Sequence, residues 1–325
     1  AGLGAPLASI IIASLAKSLY NMRLNNSCLK HWRHRARCDL SWRTVRCCST
    51  VQTAPISADK LISFKESGWC VPSFRLANAK LSILRAALER VSQANPGVRP
   101  EDLVNAHLVG ADGTSQASKV AGDDAFLMHG ADSILTDIAA TLLGTPSIIL
   151  WGCHIFNKPP GVGRRVPWHQ DAPYWPIEPM SAVTIWVALD SSDEANACLK
   201  VIPGSHLHGE LVHEAIMDDN AALGAGVRHE FLQSLPAPVN VELSAGQLSA
   251  HDPMLVHGSD ANYSSRRRAG ITYLYMDGNS HFNRESLKPA STGFGYETRP
   301  LFLVRGDEYN PKNTLVRDLR PNKNI

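Results

Sequence analysis

The pattern of hydrophobic and polar positions changes its period near residue 146. Before that point apolar residues recur at helical spacing. In "ANAKLSILRAALERVSQANPG" Leu81, Leu84, Leu88 and Val91 stand three and four apart, with Asn95-Pro96-Gly97 as a stop. In "ADSILTDIAATLLG" Ile134, Ile138 and Leu142 share a face, and Gly144 suits the C-terminal cap. "ISADKLISFKESGWCV" reads as a short helix and then a strand, with Asp59 or Ser57 as its cap. After residue 146 "PSIILWGCHIF" is a compact apolar run, and in "AVTIWVALD" Val183, Ile185, Val187 and Leu189 alternate with Thr184, Trp186 and Ala188. "VNVEL" and "GITYLYMDG" continue in the same manner between turns of Gly, Pro, Asn and Asp. Many short strands without intervening helices predict a sandwich or jelly roll, so the fold class is mainly β with flanking α-helices.

Charge divides the chain differently. Residues 1–50 hold eight of the 32 Lys/Arg and one of the 30 Asp/Glu, which leaves 24 basic against 29 acidic residues in the other 275. That mildly acidic body offers no basic footprint, which argues against a nucleic-acid partner. The leader, rich in Arg with Ser and almost no acid, is composed like a transit peptide, and from Met22 it reads as a mitochondrial presequence. An intracellular protein is expected, in a mitochondrion or another organelle, with the cytoplasm as the alternative. The opening "AGLGAPLASIIIASLA" is apolar for 16 residues, short of the ~20 needed to cross a bilayer, so no membrane span is predicted. Four of the seven cysteines (Cys28, Cys38, Cys47, Cys48) lie in the leader, and no C-x-x-C pair occurs among Cys70, Cys153 and Cys198. The expected division is a leader over 1–50 and one domain over 51–325: a helical part to 146, a β core over 147–290 and an extension over 291–325.

The candidate chemistry begins in "VPWHQDAPYW", where His169 and Asp171 stand two apart. In a strand alternate side chains share a face, so both would aim at one point while Gln170 points away. A lone H-x-D is weak evidence for a metal, and a third ligand is needed. His257 in "HDPMLVHGSDANYSSRRRAG" follows an apolar run and ends at the turn-forming Gly258-Ser259. Two histidines and a carboxylate on one face make the facial triad of non-haem Fe(II) oxygenases, in a jelly roll whose distant strands meet across the barrel mouth. Arg268 opens the strand "AGITYLY", where its guanidinium can clamp a carboxylate, whereas Arg266 and Arg267 read as a solvated turn.

"NKPPGVGRRVPWHQDAPYWP", "CLKVIPGSH" and "LVHGSDANYSSRRRAG" together resemble the phytanoyl-CoA dioxygenase family of Fe(II)- and 2-oxoglutarate-dependent oxygenases. The likeness runs from about residue 57 to 290. It implies a double-stranded β-helix, cupin-like, with His169, Asp171 and His257 as iron ligands and Arg268 as the anchor of 2-oxoglutarate. Ser259 and Trp186 would line the cosubstrate pocket, with Lys119 and His154 as two further contacts. The implied reaction consumes O2 and 2-oxoglutarate, releases succinate and CO2 and hydroxylates an unactivated C–H of a small-molecule substrate, an acyl-CoA or a secondary metabolite. Related halogenases replace the carboxylate ligand by a small residue; the retained Asp171 favours hydroxylation. A cupin-type metalloenzyme that ignores 2-oxoglutarate and an inactive jelly-roll binding protein are the alternatives at this point. His206 is expected to order a turn near the site, and His208, His213 and His229 to lie on the surface.

Overall fold

The computed structural model describes residues 56–108, 120–286, 296–315 and 317–318. The basic leader and Lys119 lie outside these described residues. Four helices precede the long strands, one more than the hydrophobic spacing marks: α1 (Ala58–Ser67), α2 (Asn78–Ala94), α3 (Asp124–Gly130) and α4 (Ser133–Leu143). In α2 the expected stripe is buried, with Ala87 added to it, and the Asn95 amide closes the last turn by donating to the Val91 carbonyl at 2.7 Å. In α4 the buried stripe runs through Leu135, Ile138, Ala139 and Leu142, one position round from Ile134. Asp132 caps its start by accepting from the Ile134 N–H at 3.0 Å, and Gly144 ends it at φ 67°. The short α3, capped by Asp123, has too few turns to show a period in sequence.

Among the described residues the strands are, in chain order, β1 (Trp69–Cys70), β2 (Leu103–Val104), β3 (Ile148–Lys158), β4 (Val166–His169), β5 (Ile177–Glu178), β6 (Ala182–Ala188), β7 (Leu199–Val201), β8 (His213–Ala215) and β9 (Ala225–Val227). They continue as β10 (Val239–Val241), β11 (Leu248–His251), β12 (His257–Ser259), β13 (Arg268–Asp277), β14 (His281–Phe282), β15 (Phe302–Arg305) and β16 (Arg317–Asp318). A large sheet runs in the order β1-β11-β6-β13-β3-β15-β16, with β2 also on β3, and a smaller one in the order β10-β7-β12-β4. Trp186 and Ala188 of the large sheet share a buried cluster with Val201 and Val241 of the small one, so the sheets pack face to face. This is the jelly roll that the strand pattern predicts.

The large sheet is covered on its other face by helices. Tyr275 donates to the Gly130 carbonyl at 2.7 Å, and the Tyr273 hydroxyl meets His129 Nδ1 at 2.8 Å, which fastens α3 to β13. That cover explains why β6 is buried at every position although its sequence alternates. Tyr273 and Tyr275 pair with Ile185 and Val183 on the helix side, while Thr184 and Trp186 face the space between the sheets. One end of that space is filled by an apolar plug in which Trp151 and Trp175 meet edge to face at 4.8 Å, with Phe282 and Tyr296 beside them. Packing leaves the other part open.

Candidate active site

Strand β4 ends at His169, after which Asp171 takes helical dihedrals (φ −76°, ψ −40°) and opens a 3-10 turn over Ala172–Tyr174. A turn therefore brings His169 and Asp171 together, in place of the strand alternation expected from sequence. Gln170 does point away, and it is fully used. Its amide donates to the carbonyls of Gly209 (2.8 Å) and Met254 (2.6 Å), and its Oε1 accepts from the Leu211 N–H at 2.7 Å. The Gln170 backbone N–H donates to His213 Nε2 at 3.0 Å, and His213 Nδ1–H donates to the Leu211 carbonyl at 2.9 Å. His213 is thus half-buried behind the site, a correction to its surface reading. His206 lies in the 3-10 turn Ser205–His208, its Nε2 3.1 Å from the Lys65 carbonyl of α1.

His257 begins β12 and pairs directly with His169 across the antiparallel ladder, their ring centroids 4.1 Å apart. It arrives on the neighbouring strand of the same sheet, not across the mouth of the barrel. In both imidazoles Nδ1 lies on a carbonyl, Pro167 at 2.8 Å for His169 and Leu255 at 2.9 Å for His257. A carbonyl can only accept, so Nδ1 carries the proton and the Nε2 lone pair is left for another partner. The two Nε2 atoms stand 3.6 Å and 3.9 Å from Asp171 Oδ1, and one ligand atom from each of the three residues lies within 4.8 Å of the other two. The second oxygen, Oδ2, accepts from the Thr184 hydroxyl at 3.0 Å and has His251 Nε2 3.6 Å away. Thr184 on β6 thereby fixes which carboxylate oxygen faces His169 and His257.

Electrostatics sets the charge states a metal requires. Burial holds His257 well below its usual range, with His169 and His251 acting in the same direction. Burial pushes the Asp171 carboxyl up, but the surrounding imidazoles of His257, His169 and His251 outweigh it and hold the group well below the carboxylate range. Two imidazoles that present their Nε2 atoms and an ionised carboxylate, without a thiolate, suit Fe(II) and leave coordination positions open. The residues fit the ion.

A second cluster stands beside the first in a cavity of about 560 Å³, the size of a small-molecule site. Arg268 is buried, and its Nε and Nη2 both donate to the Ala197 carbonyl, at 3.0 Å and 2.7 Å. That carbonyl is presented by a capped turn, in which Asp193 and Asn196 bond reciprocally and Ala197 takes φ 65°. The guanidinium lies 5.5 Å from the centre of the Trp186 ring. Burial lowers it to about 10, and no ion pair forms with it among the described residues, so it is placed to receive an anion. Arg266 and Arg267 instead pair at the surface with Asp193 and with Asp190 and Glu89. Ser259, Trp186 and His154 line the same cavity. His154 Nδ1 accepts from the Asn105 N–H at 3.2 Å, which leaves Nε2–H as a donor.

Residues 64–270 match the family model described as Phytanoyl-CoA dioxygenase (PhyH). The chain belongs to the phytanoyl-CoA dioxygenase family. A Caenorhabditis elegans relative named "Probable phytanoyl-CoA dioxygenase" is 27% identical over 238 residues, 68% of this chain and 76% of that protein. The Arabidopsis thaliana phytanoyl-CoA dioxygenase is 35% identical over 141 residues, 42% of this chain and 47% of its own length. Among solved structures, the apo form of the non-heme monooxygenase ThoJ shares the fold at a TM-score of 0.59 and 24% identity, covering 81% of this chain and 89% of that one. Like other members of the phytanoyl-CoA dioxygenase family, the chain is an Fe(II)- and 2-oxoglutarate-dependent oxygenase.

Sequence reasoning missed Lys158, Thr184 and the place of His251. Lys158 stands in the quoted "NKPP" and Thr184 in the quoted "AVTIWVALD", but a lysine at a strand end and a threonine in mid-strand carry no signal of burial against a ligand. Asn262, which opens an N-x-S sequon, has its side-chain amide buried on the carbonyls of Lys158, Pro159 and Arg266, so the sequon is enclosed by the fold.

Proposed function

We propose that this oxygenase hydroxylates an unactivated C–H of a small molecule, with iron held by His169, Asp171 and His257. Arg268 and Ser259 receive the distal carboxylate of 2-oxoglutarate, with Trp186 as its wall and His154 Nε2–H as a donor nearby. The observation that carries this reading is the convergence of two Nε2 atoms on Asp171 Oδ1 in the cavity that also holds Arg268, a buried cation with no ion pair among the described residues. When bound, iron and 2-oxoglutarate supply oxidative decarboxylation with O2, yielding succinate and CO2 and delivering one oxygen atom to the substrate. The chain's own residues then hold the ligands, select the C–H presented and exclude bulk water.

The walls toward Tyr174, Trp175, Leu274 and Tyr296 are mostly apolar, which supports a hydrocarbon-bearing substrate such as an acyl thioester or a secondary metabolite. Asp171 occupies the position that halide would need. We read residues 1–50 as the address of an enzyme that works inside the cell, and the three free cysteines of the described residues, all buried, accord with a reducing compartment. Among the described residues no helix is long and apolar enough to cross a membrane. The test is succinate formation by the anaerobically iron-loaded protein given 2-oxoglutarate, O2 and fractionated metabolite extracts. A fraction that raises succinate and returns carrying one added oxygen supports the proposal; turnover in Asp171→Ala equal to the unaltered protein would overturn it.

A further inference from the structure

Lys158 closes β3 at a position where a lysine ordinarily carries its ammonium out to solvent, yet it is 1% exposed. Its ammonium donates to the Ser259 hydroxyl at 2.7 Å and to the Asp260 carbonyl. Lys158 Nζ is the donor in this contact, so Ser259 Oγ accepts and its own proton is directed elsewhere. Ser259 lines the cavity with Arg268 and Trp186, and its hydroxyl donates to no group among the described residues.

The charge balance points the same way. Two buried basic groups share this corner, and among the described residues neither pairs with a carboxylate. Arg268 rests on a carbonyl and a ring, and Lys158 on a hydroxyl and a carbonyl. The Asp260 carboxylate is engaged by Lys200 at 2.5 Å. Burial and Arg268 push the Lys158 ammonium down to about 6, against the opposing pull of Asp260, Glu101 and Cys198. An anion at Ser259 would correct that imbalance.

We infer that Lys158 is a positioning residue of the cosubstrate site, fixing Ser259 as a hydrogen-bond donor toward the distal carboxylate and supplying a second positive charge once that carboxylate is bound. The inference rests on the reading of Arg268 as that carboxylate's anchor. A role in folding alone would not distinguish ligands that possess the distal carboxylate from ligands that lack it.

The experiment uses the full chain loaded with Mn(II), which permits binding without turnover, and calorimetry with two probes. N-oxalylglycine carries the distal carboxylate, and oxalate does not. Lys158→Met is expected to weaken N-oxalylglycine about tenfold or more, as the loss of a charged partner does, while oxalate stays within about twofold. Adding Ser259→Ala to that variant is expected to cost less than about twofold more, because the two residues act as one. Should Lys158→Met fail to fold, Lys158→Gln, which keeps a donor without the charge, replaces it, with an expected loss of about threefold or more confined to N-oxalylglycine. Unchanged N-oxalylglycine affinity, equal weakening of oxalate, or fully additive losses with Ser259→Ala each overturn the inference. Arg268→Ala in the same assay separates the two levels. If it leaves N-oxalylglycine binding intact, the underlying site reading fails; if it weakens binding while the Lys158 variants do not, only the role of Lys158 falls.

Discussion

Gly270 lies on β13 directly under the ring of Trp186. A Cβ at that position would meet Cζ2 of Trp186 at 2.0 Å, Cε2 at 2.3 Å and Cη2 at 2.8 Å. Non-bonded carbons sit about 3.5–4 Å apart, so the indole would have to retreat by about 1.5 Å. It has nowhere easy to go, being 4% exposed with the Arg268 guanidinium 5.5 Å from its centre. Overpacking of this kind costs about 1–3 kcal/mol, and at roughly 2–4 °C per kcal/mol Gly270→Ala should lower Tm by a few to about 10 °C. The displaced ring also leaves the guanidinium, an interaction worth about 0.5–2 kcal/mol, so affinity for N-oxalylglycine should fall about twofold to thirtyfold. Scanning calorimetry and ligand titration read the two effects separately. Gly97→Ala, whose Cβ would meet nothing within 4 Å, is the control expected to change neither. A Gly270→Ala protein with unaltered Tm and affinity would refute the claim that this glycine makes room for the pocket wall.

Three further outcomes are expected. Arg268→Ala should raise the 2-oxoglutarate concentration needed for half-maximal turnover about tenfold or more, as loss of a charge-assisted bond implies; Arg267→Ala, whose partners are surface acids, should stay within about threefold, and steady-state kinetics on both checks the order. Thr184→Val removes the hydroxyl that fixes Asp171 Oδ2 and should weaken Fe(II) binding about tenfold to a hundredfold in an anaerobic titration. Burial lowers His154 to about 3, and Arg299 adds to the effect. The folded chain then binds fewer protons than the unfolded chain between that value and the ordinary histidine range near 6.5. Stability should therefore fall as pH drops through that window, with His107 and His257 acting in the same sense, and the thermal midpoint of metal-free His154→Gln should depend on pH less steeply.

The fold was legible wherever a period was long enough to see. Leu81, Leu84, Leu88 and Val91 mark α2 because a long helix must bury one stripe, and Val183, Ile185 and Val187 mark β6 because a strand alternates. The same alternation hid the fact that Thr184 and Trp186 are buried too, since polar and aromatic residues that face a ligand cavity look like residues that face water. His169, Asp171, His257 and Arg268 stood out by residue type and by turn signals nearby. Their convergence followed a route that strand periodicity could not supply: the chain bends at Asp171, and Gln170 and His213 brace the bend from behind. Lys158 was invisible for a related reason. Nothing local distinguishes a lysine at a strand end that reaches solvent from one that reaches Ser259, 101 positions away in the chain.

The most direct test of the account is an anaerobic titration of the full chain with Fe(II) and 2-oxoglutarate, following the visible charge-transfer absorption of the chelated keto acid. The account predicts saturation at one iron per chain, loss of the signal in Asp171→Ala, and retention of the signal in Arg268→Ala only at much higher 2-oxoglutarate. A band that forms in Asp171→Ala with the affinity of the unaltered chain would show that iron and cosubstrate bind elsewhere.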